Sequence, residues 1–189
     1  MAPHIHITGA SGCGVSTLGA GLATRLGCAH LDTDEFYWTP SEPPFQVSRE
    51  VPERLRLLHQ AFDAAPDGWV LSGSLDGWGD PLIPLFDGVV FLSAPAEVRL
   101  ARLAERERRR LGPAVEAGGA MHAQHLDFLR YAGAYDTGVF TSQMTGRYRA
   151  RHEAWLERLP CPVLRLDGAL PTGALVDAVL AWPEKRNVF

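Results

Sequence analysis

The residues GASGCGVST, Gly9 to Thr17, have the spacing of a phosphate-binding loop. Gly9 and Gly14 stand five positions apart and Ser16 and Thr17 follow, so GxxxxGK[ST] is matched everywhere except at Val15, where the lysine belongs. Glycines let such a loop adopt positive φ and turn backbone N–H groups toward an anion, and the dipole of a following helix adds to the attraction. Ala10, Ser11, Gly12 and Cys13 would contribute backbone amides rather than side chains. None of these donors depends on residue 15, whereas the missing lysine ordinarily reaches the β and γ phosphates. Phosphate binding is therefore expected to survive better than fast transfer. Ser16 is placed to hold Mg²⁺ and Thr17 to contact an α phosphate. The alternative is a tight turn of a dinucleotide fold, since GASGCG fits a loose GxxGxG and an acidic DTD follows about 23 residues later. The Ser16-Thr17 pair favours the mononucleotide loop.

Of the 18 basic residues, 17 are arginine, and the one lysine is Lys185. Simple replacement of lysine by arginine would have put arginine at 15, so valine removes charge and donors together. Arg99, Arg102, Arg106 and Arg110 recur at helical intervals in AEVRLARLAERERRR and share one face. Arg147, Arg149 and Arg151 form a second group. His122 and His125 have metal-ligand spacing on a helix but lack a third ligand nearby.

These residues need strands and helices to position them. HIHITG (4–9) reads as a strand entering the glycine loop, and 16–26 as a helix with Leu18, Leu22 and Leu26 at intervals of four. AHLD (29–32) is a short strand, followed by DEFYWTPSEPPF, whose prolines and aromatics suggest a structured loop. WVLSG (69–73) and GVVFLSA (88–94) are continuous apolar runs, expected for central strands covered on both faces. DGWGDPLIP between them reads as a loop at a strand's carboxyl end, where open α/β sheets form their sites. Helices over about 48–65, 95–110, 147–159 and 172–182, with a strand at 162–168, complete an α/β/α domain with a five-stranded parallel sheet. The glycine-interrupted stretch 112–146 is expected to be a lid within a single domain spanning 1–189.

Composition narrows the function classes. A chain of 189 residues buries roughly 70% of its unfolded surface and needs no disulfide or metal to build a core. Net charge is −4, which argues against nucleic-acid binding by the arginine runs. Cys13, Cys28 and Cys161 show neither paired nor zinc-type spacing, consistent with a reducing cytoplasm. Neither a signal sequence nor a membrane span is expected, and a monomer or homodimer is.

Together these motifs resemble the P-loop small-molecule kinases, the group of adenylate, shikimate and gluconate kinases, and especially adenylate-kinase-like bacterial proteins. The resemblance runs from HIHITGASGCGVST through HLDTDEFYW, WVLSGSLDGWGDP and VVFLSAPAEVRLARLAERE to RHEAWLERLPCPVLRL. It implies a P-loop NTPase fold, ATP and Mg²⁺ as cofactors, and a small-molecule acceptor. Asp32 and Asp34 match the acceptor segment. Two residues apart in an extended chain, they address one side, one to order Mg²⁺ water with Ser16 and the other to orient the acceptor hydroxyl. Solvated acids capping a helix are the alternative. In such kinases an arginine-rich helix closes over the triphosphate, so Arg102 and Arg106 are expected to take over part of lysine's role. Arg49 is placed to approach the acceptor. Nucleoside monophosphate kinases carry acceptor-phosphate arginines in the segments that here read LDTDEFYW and SLDGWGDP. Asp76, Trp78 and Asp80 stand there instead, and by repulsion favour a non-phosphorylated acceptor, with Trp38 and Trp78 lining its pocket. Two alternatives remain: a nucleotide-binding switch with little turnover, and a nucleoside monophosphate kinase.

Overall fold

The computed structural model describes residues 3–42, 44–140 and 146–182. Five strands, β1 (His4–Gly9), β2 (Ala29–Asp32), β3 (Trp69–Ser72), β4 (Gly88–Ser93) and β5 (Val163–Asp167), form a parallel sheet in the order β2-β3-β1-β4-β5. β3 and β4 flank β1 in the interior, in keeping with their unbroken apolar runs. Helices α1 (Val15–Leu26) and α7 (Thr172–Leu180) pack on one face; α3 (Val51–Asp63) and α6 (Arg149–Glu157) pack on the other. This is the three-layer α/β/α arrangement expected.

The strand period of two sorts β1 between two cores. Ile5 and Ile7 join Leu18, Leu22, Val176 and Val179 beneath α1 and α7. His4, His6 and Thr8 face the other side, where His4 stacks on Trp69 at 4.7 Å and His6 on Phe86 at 5.2 Å. Both histidines are thus packing residues. His6 donates Nδ1–H to the Leu71 carbonyl at 3.0 Å, while its buried Nε2 has no partner among the described residues. His152 on α6 is held between the Thr8 hydroxyl and the Tyr135 phenol, each at 3.1 Å.

Burial lowers the His6 pKa to about 4, with the Leu71 bond opposing it. Burial, then Arg147 and His6, lower that of His152 to about 3. Below the ordinary value of about 6.5 the unfolded chain protonates these rings while the folded chain does not. Stability is therefore full above about pH 6.5 and falls as pH drops toward 4, by about 1.4 kcal/mol per pH unit for each ring. Melting temperatures between pH 7 and 4.5 should decline accordingly, and His152→Gln should flatten the slope by about half. A pH-independent melting temperature would exclude buried neutral histidines.

The segment after β2 differs from the expected loop. It opens with a one-turn helix, α2 (Thr33–Tyr37), capped by Asp32, whose side chain accepts from the Asp34 amide at 3.0 Å. Asp32-x-x-Glu35 is a capping-box spacing, the local signal that marks this turn. Beyond it Trp38 is bridged to Ser48, and the Thr39 amide bonds the Val47 carbonyl at 2.8 Å, so the two flanks of this segment lie side by side. DPLIPL (Asp80–Leu85) forms a 3-10 helix instead of a loop. α4 (Ala96–Leu111) and α5 (His122–Gly133) lie beside the carboxyl ends of the strands. The end of the expected lid, 141–145, and the lone lysine lie outside the described residues.

Candidate functional site

The carboxyl ends of β1, β2 and β3 open into a cleft of about 1050 Å³, bounded by the glycine loop, α2, α4 and α5. That volume lies at the upper limit for single-ligand sites, so two small molecules fit side by side.

At one end lies the loop. Gly12 (φ 86°) and Gly14 (φ 93°) take the left-handed conformations that the motif requires. A Cβ on Gly12 would lie 2.5 Å from the Arg99 carbonyl, so α4 packs directly on the loop's backbone. The Cys13 amide is turned inward to the Ala10 carbonyl at 3.1 Å, and its side chain is fully buried. Cys13 therefore braces the turn and does not face the cleft, contrary to the amide role expected of it. Gly9, Ala10, Ser11, Gly12, Gly14, Val15, Ser16 and Thr17 do line it. The first helical bond runs from the Leu18 amide to the Gly14 carbonyl, leaving the amides of Gly14 to Thr17 without a backbone acceptor among the described residues. Unpaired N–H groups, positive-φ glycines and a helix N-terminus form a cradle suited to phosphate. Val15 packs against the core beneath the loop, its Cγ2 3.3 Å from where a Gly9 Cβ would sit.

The two acids divide their work differently from the expectation. Their common orientation comes from the capped helix, in which Asp32 precedes the first turn and Asp34 stands inside it, and not from strand alternation. Asp32 is engaged by the Asp34 amide and, at 3.4 Å, by the Ser72 hydroxyl, although it still lines the cleft. Asp34 carries no hydrogen bond to its carboxylate among the described residues. Its carboxyl pKa is raised, first by desolvation from the cleft walls and then by Asp32, with Arg147, Arg106 and Arg110 pulling the other way. The side chain remains open to water through the cleft mouth, so the shift describes a partly shielded group.

The arginine face of α4 also divides. Arg99 is fully buried, bonded to the Ala94, Ser11 and Ala132 carbonyls and paired with Asp136. Arg102, Arg106 and Arg110 line the cleft. Arg102 donates to the Gly168 carbonyl at 2.7 Å, Arg106 pairs with Glu107 at 2.7 Å, and Arg110 lies 4.6 Å over the Phe45 ring. In the second group Arg149 pairs with Asp136 at 2.5 Å and Arg151 with Asp76 at 2.9 Å. Arg147 has no ion pair among the described residues and lines the cleft facing Asp34.

Several expected acceptor residues are corrected by their partners. Arg49 does not line the cleft, because its guanidinium caps the end of α2 through the Glu35, Phe36 and Trp38 carbonyls. Asp76 lines the cleft but is neutralised by Arg151. Asp80 faces away, accepting from the Trp155 indole at 2.9 Å. Repulsion from these acids therefore says little about the acceptor's charge. Trp78 borders the cleft from the core, its indole N–H donating to the Ser74 carbonyl at 3.2 Å. Sequence reasoning missed Arg54, buried with its guanidinium 3.7 Å over the Tyr37 ring. His125, singled out for its spacing to His122, lines the cleft with its Nδ1 lacking a partner among the described residues. His122 donates to the Val115 carbonyl at 2.8 Å. Among the described residues no three His, Cys, Asp or Glu side chains gather around a metal position, and no helix is long and apolar enough to cross a membrane. Ser16 and Asp32 both bring side-chain oxygens to the cleft.

The fold is that of the P-loop small-molecule kinases. A shikimate kinase from Acinetobacter baumannii in complex with shikimate superposes with a TM-score of 0.56 at 19% identity, over 100% of this chain and 97% of that one. A sugar kinase from Janibacter sp. gives 0.53 at 19% identity, over 97% and 95% of the two chains. A gluconokinase from Sinorhizobium meliloti gives 0.50 at 18% identity, over 99% and 98%. No protein-family model matches the chain. In sequence it is 46% identical over 182 residues to the "Uncharacterized protein YqaC" of Bacillus subtilis, across 96% of this chain and 98% of that protein. The chain therefore belongs to the YqaC family, with a P-loop kinase fold.

Proposed function

We propose that this chain is an ATP-dependent kinase of a small, non-phosphorylated, hydroxyl-bearing molecule. The observation that carries the reading is one cleft uniting a phosphate-type cradle with a carboxylate and a guanidinium that have no partner among the described residues: the Gly14–Thr17 amides, Asp34 and Arg147. Mg·ATP, when bound, supplies the phosphoryl group and divalent charge. The loop amides hold phosphate oxygens, and Ser16 and Asp32 hold the cation directly or through water. Asp34 orients the acceptor hydroxyl and takes its proton as that oxygen bonds the γ-phosphorus and ADP leaves. Arg102, Arg106 and Arg147 place positive charge where lysine is missing. Of the arginines near the acceptor end, Arg49, Arg54 and Arg151 are committed to protein groups.

Val15, folded against Gly9, favours a second reading in which nucleotide binds and turns over slowly. Calorimetric titration with Mg·ATP tests both. The wild type should bind, Val15→Lys should change Kd by less than about tenfold, and Arg147→Ala should weaken binding by roughly ten- to a hundredfold, the range for a charge-assisted hydrogen bond. Binding that appears only with Val15→Lys would overturn the kinase reading in favour of a degenerate loop. Binding without γ-phosphate transfer to any acceptor would favour the switch.

A further inference from the structure

The acceptor end of the cleft carries more aromatic surface than polar capacity. Tyr37, Trp38, Phe45 and Trp78 all line it. Tyr37 meets Trp38 at 4.7 Å and Trp78 at 6.1 Å, and Trp38 meets Phe45 at 5.9 Å, so the rings form a continuous wall. Phe45 is the only non-glycine with positive φ among the described residues, at 64°. A bulky residue in this conformation costs free energy and is found where surrounding structure or function demands it. Here the strain holds a 40% exposed ring over the cleft, between Trp38 and the Arg110 guanidinium. Arg54, stacked on Tyr37, stiffens the wall from behind.

The polar groups around this wall are largely engaged. Asp76 is held by Arg151, the Trp78 indole by Ser74, and Asp32 by the Asp34 amide and Ser72. Beyond Asp34, Arg147 and the His125 Nδ1, a polyol would find few open partners along this wall, and each unmatched hydroxyl costs its desolvation. Asp34 remains open for one hydroxyl. Tyr37 and Trp38 follow it by three and four residues, and the Trp38 amide bonds the Asp34 carbonyl at 3.1 Å, so carboxylate and ring wall share one helical face. Roughly 5–6 Å separates Cβ atoms at such spacing, within the span of one small molecule.

We infer that the acceptor is an aryl or heteroaryl alcohol: a flat unsaturated ring packed on Tyr37, Trp38 and Phe45, with a hydroxyl delivered to Asp34. This rests on the kinase reading, which it narrows to a substrate class. The test uses 3-hydroxymethylpyridine and benzyl alcohol against D-gluconate and shikimate, on the full chain. Binding is read without nucleotide by calorimetric titration, and transfer by ADP release with Mg·ATP. The ring alcohols should bind, and at least one should stimulate ADP release. Trp38→Leu should raise its KM at least tenfold with a much smaller change in kcat, and Trp38→Phe should restore most of the loss. Ring-alcohol binding lost in Trp38→Leu, without ADP release, would support the aromatic subsite while the kinase reading fails. Transfer to gluconate or shikimate alone would overturn the inference and leave the kinase reading standing. Absence of a response to either ring alcohol in both assays would also overturn it.

Discussion

Asp34→Asn is expected to lower kcat by about 10²–10⁴-fold, the range for loss of a positioned general base, while raising thermal stability at neutral pH. Asparagine keeps the shape and a hydrogen bond to the acceptor hydroxyl but takes up no proton, so KM should change far less than kcat. The stability effect follows from the raised folded-state pKa of Asp34, caused by desolvation and then by Asp32. A carboxyl that ionises less readily in the folded chain opposes folding once pH exceeds its unfolded value, and the penalty is complete above the folded value. Asparagine removes that penalty, so the gain in melting temperature should be largest near pH 7–8 and vanish on acidification below the ordinary carboxylate range of about 4. In the wild type the acid limb of kcat/KM should lie above that range. Steady-state kinetics and scanning calorimetry across pH check both parts. Unchanged kcat would remove Asp34 from the reaction, and a lower melting temperature at pH 7.5 would show that its charge supports the fold.

Arg99→Met should produce the largest loss of stability, about 3–5 kcal/mol, as for breaking a buried ion pair from one side. For a chain of this size that corresponds to a fall in melting temperature of roughly 6–20 °C. Arg99 is fully buried, and its bonds tie the carbonyls of Ala94, Ser11 and Ala132 and the carboxylate of Asp136 into one node. Methionine fills much of the space but leaves three carbonyls without this donor, and Asp136 keeps Arg149 alone among the described residues. Because Arg99 holds Ser11 and its own carbonyl crowds Gly12, phosphate affinity should fall with stability. Arg108→Met, at an exposed pair with Glu105 on the same helix, should change stability by less than about 0.5 kcal/mol. Equal effects at the two positions would contradict the assignment of Arg99 as the brace.

Regular elements were legible because their signals are local. The apolar runs at 69–73 and 88–94 can be satisfied only where both faces are covered, and they became β3 and β4 on either side of β1. One-turn α2 escaped because DEFYWTPSEPPF is dominated by aromatics and prolines, although its capping-box spacing was present. The aromatic wall was legible only as Trp38 and Trp78; Tyr37 and Phe45 join it because the two flanks of the segment after α2 lie side by side.

By itself the sequence determined the five strands, helices α1, α3, α4, α6 and α7 and the glycine loop, since hydrophobic period and glycine spacing act over a few residues. Tertiary structure alone decided which charges are available to a ligand. Asp76 is neutralised by an arginine 75 positions away, Arg49 is drawn to the carbonyls closing α2, and Arg99 is buried while Arg102, one turn along, opens to the cleft. A charge's reach depends on the partner that folding brings beside it, and local spacing does not record that partner.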